Sequence, residues 1–80
     1  MLNKKIKMQK SIETKQVADV VFEANKYKSQ VYLKSGESKF NLKSLMGVFA
    51  LKMEPNMEVL IETDGEDEQD ALSQMVTIFE

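Results

Sequence analysis

The chain has 80 residues, of which 42% are apolar, and it contains no cysteine and no histidine. These features indicate one globular domain spanning residues 1–80 rather than a disordered segment. Without cysteine, the chain has neither disulfides nor thiolate chemistry. Without histidine, it lacks the commonest general base and the commonest metal ligand. All eleven basic residues are lysines, so no arginine is present to bind a phosphate or carboxylate through two parallel hydrogen bonds.

Charge is divided unequally along the chain. Residues 1–40 hold nine lysines against four acids, a net charge of +5, and residues 41–80 hold two lysines against nine acids, a net charge of −7. A fold that interleaves the halves would mix these charges, whereas nucleic-acid binding requires a concentrated basic face. The lysine-rich start is not followed by the apolar segment of a signal peptide, and no run is long enough to span a bilayer. We therefore expect a cytoplasmic protein that binds neither nucleic acid nor membrane.

Four segments have the alternation that is typical of β-strands. Their apolar side chains fall at every second position, and turn residues such as Gly36 and Gly65 follow two of them. The close spacing of the second and third segments predicts an antiparallel hairpin. The predicted strands are residues 4–8, 30–34, 39–42 and 58–63. The side chains expected to face water from these strands are Lys5, Lys7, Lys34, Glu58 and Glu62.

Three segments are predicted helices. Apolar residues recur at helical spacing over residues 14–25 and over residues 67–79. Between them, Ser44 stands where a helix N-cap is favoured, before a short helix that Gly47 weakens. The order is therefore β-α-β-β-α-β-α, an α+β fold in which three helices cover one face of a four-stranded antiparallel sheet. The predicted apolar stripes are Val17, Val20, Val21 and Ala24, and then Ala71, Leu72, Met75, Val76 and Phe79.

The short helix after Ser44 carries apolar residues on more than one side. Leu45, Val48 and Leu51 are candidate core contacts. Met46 and Phe49, three residues apart, then share a more exposed side, where they would suit an adaptable protein interface. The alternative is that one or both belong to the core of a small domain.

An acidic run at residues 64–70 offers oxygen atoms that a cation could bind. Its spacing does not fit the EF-hand loop, whose glycine stands at the sixth position. The acids Asp67, Glu68 and Asp70 also fall at the start of the last helix, where the helix dipole favours negative charge. The dipole explains them without a metal, so we expect neither a metal nor a cofactor.

The order of elements and several stretches of sequence resemble HPr, the histidine phosphocarrier of the bacterial sugar phosphotransferase system. The most specific stretch is residues 41–48, and the resemblance extends over nearly the whole chain. It implies the open-faced sandwich of that family. The stretches that carry it are Asn41-Leu42-Lys43-Ser44-Leu45-Met46-Gly47-Val48, Ala24-Asn25-Lys26-Tyr27, Glu58-Val59-Leu60-Ile61, and residues 65–72.

The resemblance also identifies what the chain lacks. HPr carries its phosphoryl group on a histidine at the start of the first helix, within a His-Ala-Arg-Pro type motif. Here Glu13 occupies the histidine position, Lys15 the arginine position and Gln16 the proline position. We expect no phosphohistidine carrier activity, no catalytic residue and no enzyme, as in the catabolite-repression paralogue of the family. Glu13 either mimics part of the phosphohistidine charge or is a solvated acid that the helix dipole favours.

Ser44 matches the serine that an ATP-dependent HPr kinase phosphorylates in HPr of many Gram-positive bacteria. A phosphate there would face free backbone N–H groups and the positive end of the helix dipole. Lys43 beside it would steer the kinase or a partner. The resemblance also places Lys15, Met46 and Phe49 on the surface that meets enzymes and a transcription regulator.

Two questions stay open at this level. If Ser44 is only a helix cap, the domain is an unmodified protein–protein binding module. The sequence is also compatible with either a monomer or a dimer that exchanges its first strand.

Overall fold

The computed structural model describes residues 1–9, 14–51 and 56–80. Its order confirms the predicted β-α-β-β-α-β-α fold, although β1 begins two residues earlier and ends one residue earlier than the alternation predicts. The elements are β1 (Leu2–Lys7), α1 (Thr14–Ala24), β2 (Gln30–Ser35), β3 (Ser38–Asn41), α2 (Leu45–Ala50), β4 (Glu58–Asp64) and α3 (Glu68–Phe79).

The four strands form one antiparallel sheet in the order β1-β4-β2-β3. The acidic strand β4 therefore lies between the lysine-bearing strands β1 and β2. The Nζ atom of Lys5 lies 3.4 Å from a carboxylate oxygen of Glu58 on the open face of the sheet. The two halves of the chain are interleaved, so their opposite charges are mixed on one surface.

The core lies between the sheet and the helices. Alternate strand residues point into it, and the apolar stripes of α1 and α3 close over them, as the two periodicities predict. Among the helices of the described ranges, none is long and apolar enough to cross a membrane. The buried apolar residues of the strands and helices are Ile6, Val31, Leu33, Val59, Ile61, Val17, Val20, Ala24, Val48, Ala71, Met75 and Phe79.

The open face of the sheet contains one charged side chain that is nearly covered. Glu62 is only 8% exposed, so the prediction that it faces water is wrong. The strand register places Tyr32 beside it. The Nζ atoms of Lys34 and Lys39 each lie 3.9 Å from one of its carboxylate oxygens, and Lys39 also lies over the ring of Tyr32. Long side chains from β2 and β3 therefore cover this carboxylate.

Helix α2 lies against the end of β3, and a glycine makes this approach possible. A Cβ atom on Gly47 would stand 2.6 Å from the carbonyl oxygen of Asn41, which is closer than real contacts allow. Glycine lowers intrinsic helix propensity. Here, because Gly47 has no side chain, the helix packs directly against the backbone at Asn41. A larger residue at this position would push the helix away from that backbone.

Asp67 joins the start of α3 to the loop between α1 and β2. One of its carboxylate oxygens accepts the Ser29 N–H at 2.9 Å and the Ser29 hydroxyl at 2.5 Å, and the other accepts the Lys28 N–H at 2.9 Å. Asp67 is the N-cap residue of α3 rather than part of its first turn, and its side chain caps no α3 amide. The hydrogen bond from the Ser29 hydroxyl, followed by that from the Lys28 N–H, lowers the pKa of Asp67 to about 2.

Gly47→Ala is expected to lower the free energy of unfolding by about 1–3 kcal/mol, because the added methyl group meets the backbone at Asn41. Urea denaturation followed by circular dichroism measures the change. Ser73→Ala, at an exposed position of α3, is the control and is expected to stay within about 0.5 kcal/mol of the parent protein. An increase in stability for Gly47→Ala, as helix propensity alone would give, would contradict this packing.

Asp67→Asn is expected to remove part of the acid dependence of folding. The pKa of Asp67 is lower in the folded chain than its ordinary value of 3.8, so the unfolded chain binds the proton more readily. The stabilisation is therefore present above about pH 4 and is lost as the pH falls toward 2. Denaturation curves between pH 2 and 6 should show the two proteins converging in stability at the acid end.

Asp70→Asn is the control for this experiment, because it removes an acid from the first turn of α3 without touching the hydrogen bonds of Asp67. A constant stability difference between Asp67→Asn and the parent protein across the whole range would show that Asp67 acts without its charge.

Candidate functional site

Ser44 is the N-cap of α2, as the sequence predicts. Its backbone is extended, with φ −109° and ψ 126°, and its Oγ atom accepts the Gly47 N–H at 3.3 Å. Its own N–H donates to the Asn41 carbonyl at 3.1 Å, and its carbonyl accepts the Val48 N–H at 3.0 Å. Three hydrogen bonds, one to the hydroxyl and two to the backbone, therefore hold the half-buried Ser44 at the junction of a turn and a helix.

Lys43, the residue before Ser44, is tied to the end of α1. Its Nζ atom donates to the Tyr27 carbonyl at 2.7 Å, and its own carbonyl accepts a hydrogen bond from Asn25 Nδ2 at 3.1 Å. Its N–H donates to the Asn41 side chain at 2.9 Å. The ammonium group thus has a partner within the chain, and its role in steering a kinase or another protein stays a prediction.

Helix α2 exposes three of its apolar side chains. Met46 is 83% exposed and Phe49 is 58% exposed, which places both on the solvent side. Leu45 is 49% exposed, so its expected core contact is wrong. The helix has only six residues, and of these only Val48 is buried. We call the side chains of Leu45, Met46 and Phe49 the α2 surface; binding of a partner there stays a prediction.

Phe22 on α1 is a further exposed aromatic residue that the sequence analysis did not single out. Its side chain is 66% exposed, and the Nζ atom of Lys26 lies 5.1 Å from the ring centroid. A signal for this exposure is present in the sequence. Phe22 lies about 140° around the helix from Val17, well away from the buried stripe.

The residues at the phosphohistidine motif are placed only in part. Lys15 and Gln16 lie in the first turn of α1, the former exposed and the latter half-buried, and both make interactions within the protein. Glu13 lies outside the described residues, so its role stays a prediction. Within residues 1–9, 14–51 and 56–80, no group of three or more acidic side chains is arranged to hold a metal ion.

Comparison with known proteins identifies relatives over nearly the full length. A model of the family described as PTS HPr component phosphorylation site matches residues 3–80. The HPr-like protein Crh of Bacillus subtilis is 34% identical over 70 residues, covering 88% of this chain and 82% of that protein. The HPr-like protein Crh of Halalkalibacterium halodurans is 28% identical over 75 residues, covering 94% of this chain and 89% of that protein.

Solved structures show the same fold. The phosphocarrier protein HPr of Bacillus anthracis superposes with a TM-score of 0.91 at 22% identity, covering 99% of this chain and 96% of that chain. The crystal structure of Bacillus subtilis Crh, a dimer with a swapped domain, superposes with a TM-score of 0.77 at 33% identity. It covers 90% of this chain and 83% of that chain. The three-helix, four-strand open-faced sandwich is thus shared with these proteins.

Proposed function

The chain belongs to the HPr family, and from that premise we propose that it is a regulatory member without phosphocarrier activity, switched by phosphorylation of Ser44. The observation that carries the proposal is the position of Ser44 at the N-cap of α2, beside the exposed side chains of the α2 surface. A phosphate there adds a charge of about −1.5 to −2 next to the α2 surface. The modified helix then offers a partner both charge and apolar area.

The absence of carrier chemistry rests on the sequence itself. The chain contains no histidine, and all its basic residues are lysines. The three positions of the phosphohistidine motif hold Glu13, Lys15 and Gln16. A carboxylate could accept a phosphoryl group only as an acyl phosphate, a different chemistry from that of an imidazole. We infer that the protein is modified and bound by others and is not itself an enzyme.

The relatives support a place in regulation. The two curated proteins are both HPr-like proteins named Crh, and the solved Bacillus subtilis Crh is described as a catabolite-repression protein. By analogy, the kinase that modifies Ser44 is an HPr kinase, and the partner of the modified form is a transcription regulator in the cytoplasm. By resemblance, Lys15 and Lys43 belong to the same partner-binding surface as Met46 and Phe49, where they would complement acidic groups of such a partner.

A second candidate is an unmodified binding module. The observation that favours it is the exposure of three apolar side chains on the six-residue helix α2, which suits an adaptable protein interface. In this candidate, the hydroxyl of Ser44 serves only to accept the Gly47 N–H.

The assembly state is either a monomer or a dimer that exchanges β1, and light scattering separates the two. Exchange is supported by the position of β1 at the edge of the sheet, where it pairs only with β4. Ile6 is the only residue of β1 that is buried, so exchange would transfer one core side chain together with the backbone pairing between β1 and β4.

Incubation of the purified protein with HPr kinase and ATP, beside authentic HPr, is expected to add one phosphate. Intact-mass spectrometry measures it. Ser44→Ala is expected to abolish the addition, and to destabilise the domain by only about 1 kcal/mol through loss of the cap. Ser38→Ala, at an exposed position on β3, is the matched control and should be phosphorylated like the parent protein. No added mass while HPr is modified would leave Ser44 as a helix cap.

Met46→Asp is expected to weaken capture of the transcription regulator by kinase-treated protein about tenfold or more, as loss of a hot-spot contact does. Biolayer interferometry measures the affinity, and Gln69→Asp, exposed on α3, is the control. Our proposal predicts that Ser44→Ala weakens capture as well. Capture that survives Ser44→Ala but not Met46→Asp would favour the unmodified binding module.

A further inference from the structure

The segment that follows α1 binds a lysine ammonium group from another part of the chain. No basic residue lies in the last turn of α1 itself. The chain continues from this end through a turn in which the Tyr27 N–H donates to the Ala24 carbonyl. The Lys43 ammonium group then donates to the Tyr27 carbonyl at 2.7 Å in a partly buried contact. The Tyr27 carbonyl lies just beyond the end of α1, so this ammonium fixes the segment that follows the helix to the loop before α2.

A second contact holds the same two segments together. The side-chain amide of Asn25 donates to the Val21 carbonyl at 2.8 Å, inside α1, and to the Lys43 carbonyl at 3.1 Å. Lys43 therefore both gives a hydrogen bond to the end of α1 and receives one from it. We call the contacts among Asn25, Tyr27 and Lys43 the α1 clasp.

The α1 clasp directly adjoins the proposed modification site, because Lys43 precedes Ser44. We propose that Lys43 couples the two: a phosphate on Ser44 withdraws the Lys43 ammonium group from the Tyr27 carbonyl and so releases the end of α1. This inference rests on the proposed function, and it adds what the phosphate changes inside the protein. Lys43 acts as a positioning residue, and its partner depends on the charge at Ser44.

The exchange of partners follows from the strengths of the two contacts. The Tyr27 carbonyl is neutral, whereas a phosphate ester carries a charge of about −1.5 to −2 at neutral pH. Both contacts have the ionised ammonium as donor, but only the phosphate adds a full opposite charge, and two opposite charges a few ångströms apart attract each other more strongly than a charge attracts a neutral carbonyl. A lysine side chain has a flexible four-carbon stem and three rotatable donors, so it can turn toward a group on the next residue.

Release of the ammonium group has a consequence on the surface. Phe22 and Lys26 lie near the end of α1, with the ammonium of Lys26 over the ring of Phe22. Helix α1 also packs against α2. A looser end of α1 would change how these two exposed side chains are presented. Phosphorylation would therefore alter two helices rather than one.

The test uses the full chain with phosphoserine introduced at position 44 during translation, so its outcome does not depend on any kinase. On phosphorylation, the carbonyl carbon of Tyr27 is expected to change its NMR chemical shift. The amides of Asn25, Lys26 and Tyr27 are expected to exchange hydrogen several-fold faster, because the segment after α1 loses its contact with the Lys43 ammonium group. An unchanged Tyr27 carbonyl and unchanged exchange would overturn the proposal, whether or not a kinase modifies Ser44.

A phosphorus NMR titration adds a readout that a purely structural role of Lys43 would not move. In phosphorylated Lys43→Met, the second ionisation of the phosphate is expected at higher pH than in the parent protein, because the nearby ammonium group is gone. Lys39→Met, on the open face of the sheet, is the control and should leave this ionisation unchanged. Equal midpoints in all three proteins would show that the ammonium does not reach the phosphate. If Lys43→Met does not fold, the Tyr27 measurement in the parent chain still decides.

Discussion

The backbone carbonyl of Asn41 determines how α2 and the turn before it are arranged. It accepts the Ser44 N–H at 3.1 Å, and it also lies so close to Gly47 that no side chain fits between them. One carbonyl at the end of β3 therefore sets both the turn that leads into α2 and the depth to which α2 packs. Because the six-residue helix buries only Val48, its other large apolar side chains, Leu45, Met46 and Phe49, project into solvent.

This arrangement supports our proposal that the protein is bound by others and is not itself an enzyme. Val48 is enough to anchor α2 in the core, so Met46 and Phe49 do not contribute to the core and are available as contact area. The chemistry that family members perform at the start of α1 requires a histidine that this chain lacks. At the opposite end of α1, the described residues hold a hydroxyl group at the cap of α2 and a lysine whose ammonium group binds the loop that follows α1. We propose that charge added at this place changes the packing of the loop after α1.

Local pattern predicted most of the fold, because strand and helix periodicities are properties of neighbouring residues. The apolar alternation and stripes predicted the element order, and Ser44 before an apolar run predicted the cap. The errors involve contacts between distant segments. The cover over Glu62 comes from Lys34 and Lys39 on other strands.

The candidate site could be predicted only in part, for the same reason. The carboxylate of Asp67 binds residues 28 and 29, which no local pattern reveals, and the ammonium of Lys43 binds the carbonyl of Tyr27. The prediction that Leu45 contacts the core is wrong, because periodicity gives the direction of a side chain but not how much of a two-turn helix is buried. The meaning of Glu13 and Ser44 as motif positions came from resemblance to the HPr family, since neither position is distinctive in its residue type alone.

The central claim is that the protein is regulated by phosphorylation of Ser44 and has no phosphocarrier activity. The most direct test is to determine the source and the chemical stability of phosphate on the protein. Identical samples would receive radiolabelled phosphoenolpyruvate with the phosphotransferase enzymes, or radiolabelled ATP with HPr kinase, and then be held in acid. The account predicts label from ATP only, in an acid-stable ester that Ser44→Ala abolishes. Label that comes from phosphoenolpyruvate, or acid-labile label that survives Ser44→Ala, would show a carrier and contradict the account.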